Sequence, residues 1–342
     1  MKKNLLAICD KDEEYVTRLM NFILERKTMP LEVHSFTEIE YLKNFIKENS
    51  VDILLISEDE LDEEIEAIAK HELMVLSENG GITDKNGHRS ISKYQSLENI
   101  MREVMDHYSE KSSPVLRLDK SSATEFIGFY SPVHRCGTTS LALSMGQALA
   151  EEKKVLYLNL EEYSGFHQLL GENYMMNLSD LLFYIGQKKT NFPCKLAGMV
   201  QTIGKLDFIP PVISPLDIKN VDTMTWQGFF KELTDCGYDS VIIDFGSWAE
   251  ESMNVFRACG RLFVPMLDDE FSRAKIEQFE AILRILDSED LLEKMEKVII
   301  PKFNSAENPL LENDDSKLRR YAMMLLGKGQ KSGERSLIGA IA

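Results

Sequence analysis

Cysteine is scarce in this sequence and arranged for no obvious bonding. The five residues Cys9, Cys136, Cys194, Cys236 and Cys259 are odd in number, widely spread and without a C-x-x-C pair. That excludes a disulfide framework and a structural zinc site, and it predicts reduced thiols in a cytoplasmic protein. No apolar run approaches the roughly 18 residues of a membrane-spanning helix. The first apolar stretch, Leu5–Cys9, is too short for a secretory signal. Acids follow it, Asp10-Lys11-Asp12-Glu13-Glu14, where a small-residue cleavage site would stand. Positive charge is in deficit: 39 Lys and Arg face 56 Asp and Glu, a formal net charge of −17. A surface of that sign repels phosphate backbones, so nucleic acid is disfavoured as a partner of the whole chain. No repeat of solenoid period is visible.

The remaining composition, 44% hydrophobic and 28% charged over 342 residues, is that of a folded chain with room for two domains. Short apolar runs alternate with amphipathic stretches, which predicts α/β domains built on parallel sheets. A first series has strand-like runs at Leu5–Cys9, Leu31–His34, Ile53–Ile56 and Leu73–Leu76 and a last helix at Leu97–Tyr108. A second has runs at Phe126–Tyr130, Val155–Leu158, Leu206–Ile209, Val241–Phe245, Leu262–Met266 and Val298–Ile300. Its helices are expected at Thr139–Glu151, Leu178–Gly186, Met224–Asp235, Ser272–Leu286 and Leu291–Lys297. The expected domains are therefore 1–108 and 125–304. Residues 109–124 form a Ser- and Pro-containing linker, and 305–342 form a polar tail with one short amphipathic piece. The carboxylates crowded into Glu58–Glu66 read as a solvated helix start, where acids suit the positive end of the dipole.

One stretch points to chemistry. Phe126–Tyr130 feeds a loop, Ser131-Pro-Val-His-Arg-Cys-Gly-Thr-Thr-Ser140, into a helix. The unpaired N–H groups of a helix start bind anions, and a P-loop adds glycines, a Lys for the phosphates and a Ser/Thr for Mg²⁺. Gly137-Thr138-Thr139-Ser140 stands where Gly-Lys-[Ser/Thr] belongs, with Thr138 at the Lys position. Alone, the loop fits a plain strand–turn–helix equally well. Further on, Tyr238-Asp-Ser-Val-Ile-Ile-Asp244-Phe-Gly is an apolar strand ending in an acid. This is the Walker B form, in which the strand-end carboxylate serves Mg²⁺.

These motifs, with Lys154–Glu161, Asn177–Leu182, Leu206–Pro211 and Arg261–Asp269, resemble the MinD/ParA superfamily of deviant Walker ATPases over about Glu125 to Asn304. That family's loop reads Lys-Gly-Gly-x-Gly-Lys-Thr-Thr, ending on Gly137, Thr138, Thr139 and Ser140. The resemblance implies ATP and Mg²⁺ as cofactors. Arg135, Cys136, Gly137, Thr138, Thr139 and Ser140 would hold the nucleotide, and Thr139 and Asp244 the metal. Glu161 would sit at a catalytic position, because the family's Asp-x-Asp falls on Asn159 and Glu161. The family's first lysine falls near Val133, and its base-contacting Asn has no match at Pro301-Lys302. With both lysines missing, slow or absent hydrolysis is expected, since charge stabilisation is the largest catalytic contribution in such reactions. His134 reads as a loop residue, and Arg135 as either a surface cation or a phosphate contact.

Residues 1–108 resemble a response-regulator receiver of flavodoxin-like, doubly wound fold. Asp10 and Asp12 follow the first strand, Ser77 closes the fourth and Lys93 follows the fifth, but the acceptor position at the end of Val51–Ser57 is Ser57. Without a carboxylate there, an aspartyl phosphate cannot form at that position. The implied layout, an atypical receiver ahead of a larger P-loop NTPase-like domain, is similar to the TadZ/CpaE group associated with Flp/Tad pilus assembly. It implies a nucleotide-dependent homodimer that positions a pilus or secretion machine, cytoplasmic and polar or membrane-associated. A working partitioning ATPase and a nucleotide-free scaffold remain the alternatives. In the tail, Leu318, Tyr321, Met324 and Leu325 beside Lys317, Arg319 and Arg320 give two readings: a membrane contact, or a helix docked on its own domain.

Overall fold

The computed structural model describes residues 4–25, 31–69, 72–78, 87–111, 124–185, 191–219, 221–246, 252–301 and 317–327. They fall into two units, Met1–Lys120 with Tyr184–Met199, and Ser121–Phe183 with Val200–Ala342. The front unit contains β1 (Asn4–Cys9), α1 (Glu13–Glu25), β2 (Leu31–Phe36), α2 (Ile39–Glu48), β3 (Ile53–Ser57), α3 (Glu63–Ile68), β4 (Glu72–Ser77), β5 (Arg89–Ser92) and α4 (Leu97–Lys111). All five strands are parallel in the order β2-β1-β3-β4-β5. That is the flavodoxin-like winding expected from the alternating runs. One face buries Leu6, Ile8, Leu55 and Met74 under α1 and α4, and the other buries Ala7, Leu54, Ile56 and Val75 under α2 and α3.

The second unit contains β6 (Glu125–Phe129), α5 (Thr138–Ala150), β7 (Val155–Leu160), α6 (Phe166–Leu170) and most of α7 (Leu178–Ile185). After α8 (Phe192–Met199), which belongs to the front unit, come β8 (Gln201–Ile203), β9 (Leu206–Ile209), α9 (Leu216–Lys219), α10 (Thr223–Leu233) and β10 (Ser240–Phe245). The remainder is α11 (Ser252–Ala258), β11 (Arg261–Met266), α12 (Glu270–Ile285), α13 (Glu289–Leu292), β12 (Met295–Ile299) and α14 (Lys317–Leu325). The sheet order is β12-β11-β6-β10-β7-β9-β8, parallel except for β8. The two strands carrying the motifs, β6 and β10, are direct neighbours.

Two expectations are corrected, and one helix is new. Helix α4 runs through Lys111, so the linker cannot begin at Ser109; of its remaining residues, 112–123 lie outside the described ones. The helix expected at Leu291–Lys297 is one turn, α13, followed by β12, because Met295–Ile299 pairs with β11. Helix α8 forms although it contains Pro193 and Gly198, residues that disfavour a helix interior. Pro193 sits in the first turn, where its missing N–H has no partner to lose. Gly198 faces α4, where an added Cβ would meet Met105 Cβ at 3.2 Å. Cys194 and Ala197 of α8 complete the front core, and Lys195 pairs with Asp106 at 2.7 Å. Asp62, inside the carboxylate cluster, caps α3 by accepting from the Ile65 N–H at 2.8 Å.

Helix α14 decides between the two readings of the tail. Leu318 and Ala322 are buried in the second unit's core against α5, and Arg319 pairs with Glu151 at 3.0 Å. The apolar face offered to a membrane is thus already covered. Met324, expected on that face, is exposed, and Ala322 takes its place. Leu318→Ala should cost the second unit about 2–5 kcal/mol in urea unfolding. A loss no larger than that of Met324→Ala would contradict the docking.

Candidate functional site

The loop between β6 and α5 is pinned from beneath by β11. The Ser131 hydroxyl donates to the Pro265 carbonyl at 2.6 Å and accepts from the Val133 N–H at 3.1 Å. The Cys136 thiol points the same way, 3.3 Å from both the Pro265 carbonyl and the Ser131 hydroxyl. Cys136 is therefore a loop anchor, and only its backbone can serve a ligand. Above this floor the backbone adopts the left-handed conformation at His134 (φ 58°), Arg135 (φ 49°) and Gly137 (φ 89°). For His134 and Arg135 this costs on the order of 1–3 kcal/mol each. These two positions are the paired glycines of the Lys-Gly-Gly-x-Gly-Lys-Thr-Thr pattern, so the loop keeps the glycine conformation without the glycines. Both side chains are exposed.

Beneath the start of α5 the sheet converges its polar groups. Asp244 ends β10 in register with Phe129 of β6 and Asn159 of β7. It is wholly buried. One carboxylate oxygen accepts from the Tyr157 hydroxyl at 2.8 Å and from the Asn159 amide at 3.4 Å. The other has no hydrogen bond, although the Thr139 hydroxyl lies beside this carboxylate, because Thr139 donates to Glu161 at 3.0 Å. The Glu161 backbone N–H is held by Asn159 Oδ1 at 2.9 Å. Gly246 permits this packing: a Cβ there would lie 2.6 Å from Glu161 Cα. Thr139, Glu161 and Asp244 are thus brought together as expected, with Thr138 and Ser140 half-exposed at the mouth. Tyr157 was missed. The signal was its period-two spacing with Asn159 and Glu161, which puts three polar tips on one face of β7.

The chemistry of this cluster suits Mg²⁺, a hard cation that takes carboxylate and hydroxyl oxygen. No ammonium comes from the loop itself, because position 138 is Thr. In the front unit the corresponding acids are already matched. Asp10 pairs with Lys93 at 2.7 Å, Lys93 stacks on the Tyr15 ring, and Glu60 pairs with Lys11. Asp12 caps α1 through the Tyr15 N–H at 3.0 Å. Ser57 ends β3 at the acceptor position, and Ser77 donates to Glu58 at 3.1 Å.

A family model described as "TadZ-like, receiver domain" matches residues 1–109. The front unit is thus similar to a TadZ-like receiver domain over residues 1–109. No curated protein matches the chain. Among solved structures, the chain is similar to a ParA family ATPase from Chlorobium tepidum TLS, with 20% identity over 52% of this chain and 74% of that one and a TM-score of 0.45. It is similar to a putative plasmid partition protein from Borrelia burgdorferi B31 bound to AMPPNP, with 14% identity, coverage of 60% and 98%, and a TM-score of 0.44. A third likeness is to cobyrinic acid a,c-diamide synthase from Mycobacterium smegmatis with bound ATP analogue and magnesium, with 16% identity, coverage of 61% and 96%, and a TM-score of 0.45. The reading of the second unit rests on its own strand order and site. In the receiver-like front unit, Ser57 stands where the resemblance places the acceptor carboxylate, and Lys93 pairs with Asp10.

Burial, and after it the neighbouring Glu161 charge, push the Asp244 carboxyl up to about 8, against the Thr139 and Tyr157 hydroxyls. Glu161 is raised by burial, with Thr139, Asn159 and His134 acting to lower it. The folded chain therefore keeps a proton on Asp244 where the unfolded chain has lost it. This contribution to stability is complete below the ordinary carboxylate range and is lost as pH rises through the raised value. Without added Mg²⁺ or nucleotide, wild type should lose melting temperature between about pH 5 and pH 8. Asp244→Asn has no proton to lose there and should melt roughly 2–6 °C higher at the alkaline end. Parallel pH profiles for the two proteins would contradict this account.

Proposed function

We propose that the chain is an ATP·Mg²⁺-binding protein of TadZ/CpaE type within the MinD/ParA superfamily, in which nucleotide acts mainly as a conformational ligand. The observation that carries this reading is the buried Asp244 carboxylate, one oxygen left without a hydrogen bond, beside Thr139 at the head of α5. The TadZ-like receiver domain at residues 1–109 supports the group. Thr139 and Asp244 would hold Mg²⁺, which supplies charge neutralisation for the phosphates. The backbone N–H groups of His134 to Thr139 would cradle the phosphates, and Glu161 would order solvent at the far side. Turnover is slow in this reading, because Thr138 supplies no charge to the developing phosphate.

The homodimer belongs to the same proposal. Tyr163, Ile213, Leu216 and Phe271 stand exposed in the segments that follow β7, β9 and β11, on the sheet edge from which the loop also emerges. An apolar rim around a polar site suits pairing with a second copy over bound nucleotide. From there the role would be that of a localisation factor for a Tad/Flp pilus or secretion machine, cytoplasmic and recruited to a pole or membrane through its partners. A nucleotide-free scaffold is favoured by one observation, the Thr139 hydroxyl already engaged by Glu161.

Calorimetric titration of the full chain separates the two. ATP with Mg²⁺ should bind, Asp244→Ala should remove only the Mg²⁺-dependent part, and Thr138→Lys should tighten ATP by restoring a charge-assisted contact. No heat at millimolar ATP from folded protein would leave the scaffold.

A further inference from the structure

The two lysine positions of the Lys-Gly-Gly-x-Gly-Lys-Thr-Thr pattern hold Val133 and Thr138 here. A phosphate chain seated on this loop would meet N–H groups and the exposed Arg135, but no lysine from the loop. The fold delivers one from elsewhere. Helix α12 follows β11, the strand that pins the loop through Pro265. Its Lys275 returns to the loop and donates to the Val133 carbonyl at 3.2 Å, at the residue where the pattern's first lysine falls.

Lys275 is exposed, and no carboxylate among the described residues pairs with it. That is unusual on this helix. The other two cations of α12, Arg273 and Arg284, are matched with Asp268 and Glu280. In a chain with 56 acids and 39 bases, an ammonium left with only a neutral carbonyl has not found an anion. Its bond to Val133 joins an ammonium to a neutral carbonyl, and a phosphate oxygen in reach would replace that carbonyl with an acceptor of opposite charge. The four-carbon stem allows that shift without moving the helix.

We propose that Lys275 is a phosphate-contacting cation, supplied from α12 in place of the lysines missing from the loop, for a nucleoside di- or triphosphate. The assignment rests on the reading of the loop as a nucleotide site. It differs from a merely structural latch in a measurable way. A latch needs a donor to the Val133 carbonyl, which glutamine also provides, whereas a phosphate contact needs the charge.

The test is titration of adenosine, AMP, ADP and ATP, each with Mg²⁺, into the full-length wild type and into Lys275→Gln, Lys275→Arg and Thr138→Lys/Lys275→Gln. Lys275→Gln should weaken ATP about tenfold or more while leaving adenosine unchanged, and the loss should grow with the number of phosphates. Lys275→Arg should recover most of it, and Thr138→Lys should make the Lys275 substitution nearly silent, a coupling expected of two groups serving one ligand. Equal ATP affinity for wild type and Lys275→Gln would overturn the assignment and leave the site reading intact. So would a loss shared equally by adenosine and ATP. A folded wild type that binds none of the four would remove the site reading itself, and the assignment with it.

Discussion

The second unit is organised around a carboxylate in a place where a bare negative charge cannot stay. Asp244 is fully buried at the end of a central strand, between β6 and β7, with Tyr157 and Asn159 satisfying only one of its oxygens. An isolated ionised carboxylate in such a position is costly by several kcal/mol and must be neutralised by a proton or a cation. The groups around Asp244 follow from that requirement. Asn159, a neutral residue where the related pattern has an acid, bonds both Tyr157 and Asp244 and adds no further negative charge. Thr139, at the first turn of α5, stands between Glu161 and Asp244, the position of a group that shares a cation with an acid.

The two units resolve the same electrostatic problem in opposite ways. In the receiver-like front unit the acids that follow the ends of β1 and β3 have protein partners. Asp10 has Lys93, Glu60 has Lys11, and Asp12 caps a helix. Ser57, at the end of β3, carries no carboxylate. In the second unit no cation among the described residues pairs with Asp244, and the loop above it is held in a costly conformation at His134 and Arg135. Strain of that kind persists where the surrounding structure fixes it, here through Ser131, Cys136 and the Pro265 carbonyl. An acid paired with a lysine and a buried acid with one oxygen left without a hydrogen bond thus stand in one chain.

Most of this architecture was legible in the sequence. The strand runs were visible because strands of a parallel sheet covered on both faces read as short continuous apolar stretches. The loop and the Walker B strand were visible because their chemistry is local: a turn glycine, hydroxyls at a helix start, and an acid at a strand end. What escaped was non-local or disguised. Helix α8 hid behind Pro193 and Gly198, whose meaning depends on a packing partner. The strand at Val298–Ile300 was read, but Met295–Lys297 ahead of it read as the end of a helix, and pairing with β11 shows that the strand already starts at Met295. The tail helix was visible as amphipathic, but its apolar face gave no sign of what covers it, and Ala322 was too small to count as part of that face. Lys275 lies 142 residues from the carbonyl it meets, and no spacing rule reaches that far.

The central claim is that an incomplete P-loop above an unsatisfied buried acid still holds Mg²⁺ and a phosphate chain. Amide hydrogen exchange of the full chain, with and without Mg²⁺·ATP, addresses it at the residues concerned. The account predicts slowed exchange at the amides of 134–139, the loop and first turn of α5, and no such change in the receiver site around Asp10, Ser57 and Lys93. Unchanged exchange across 134–139 at saturating Mg²⁺·ATP, or protection confined to the front unit, would contradict it.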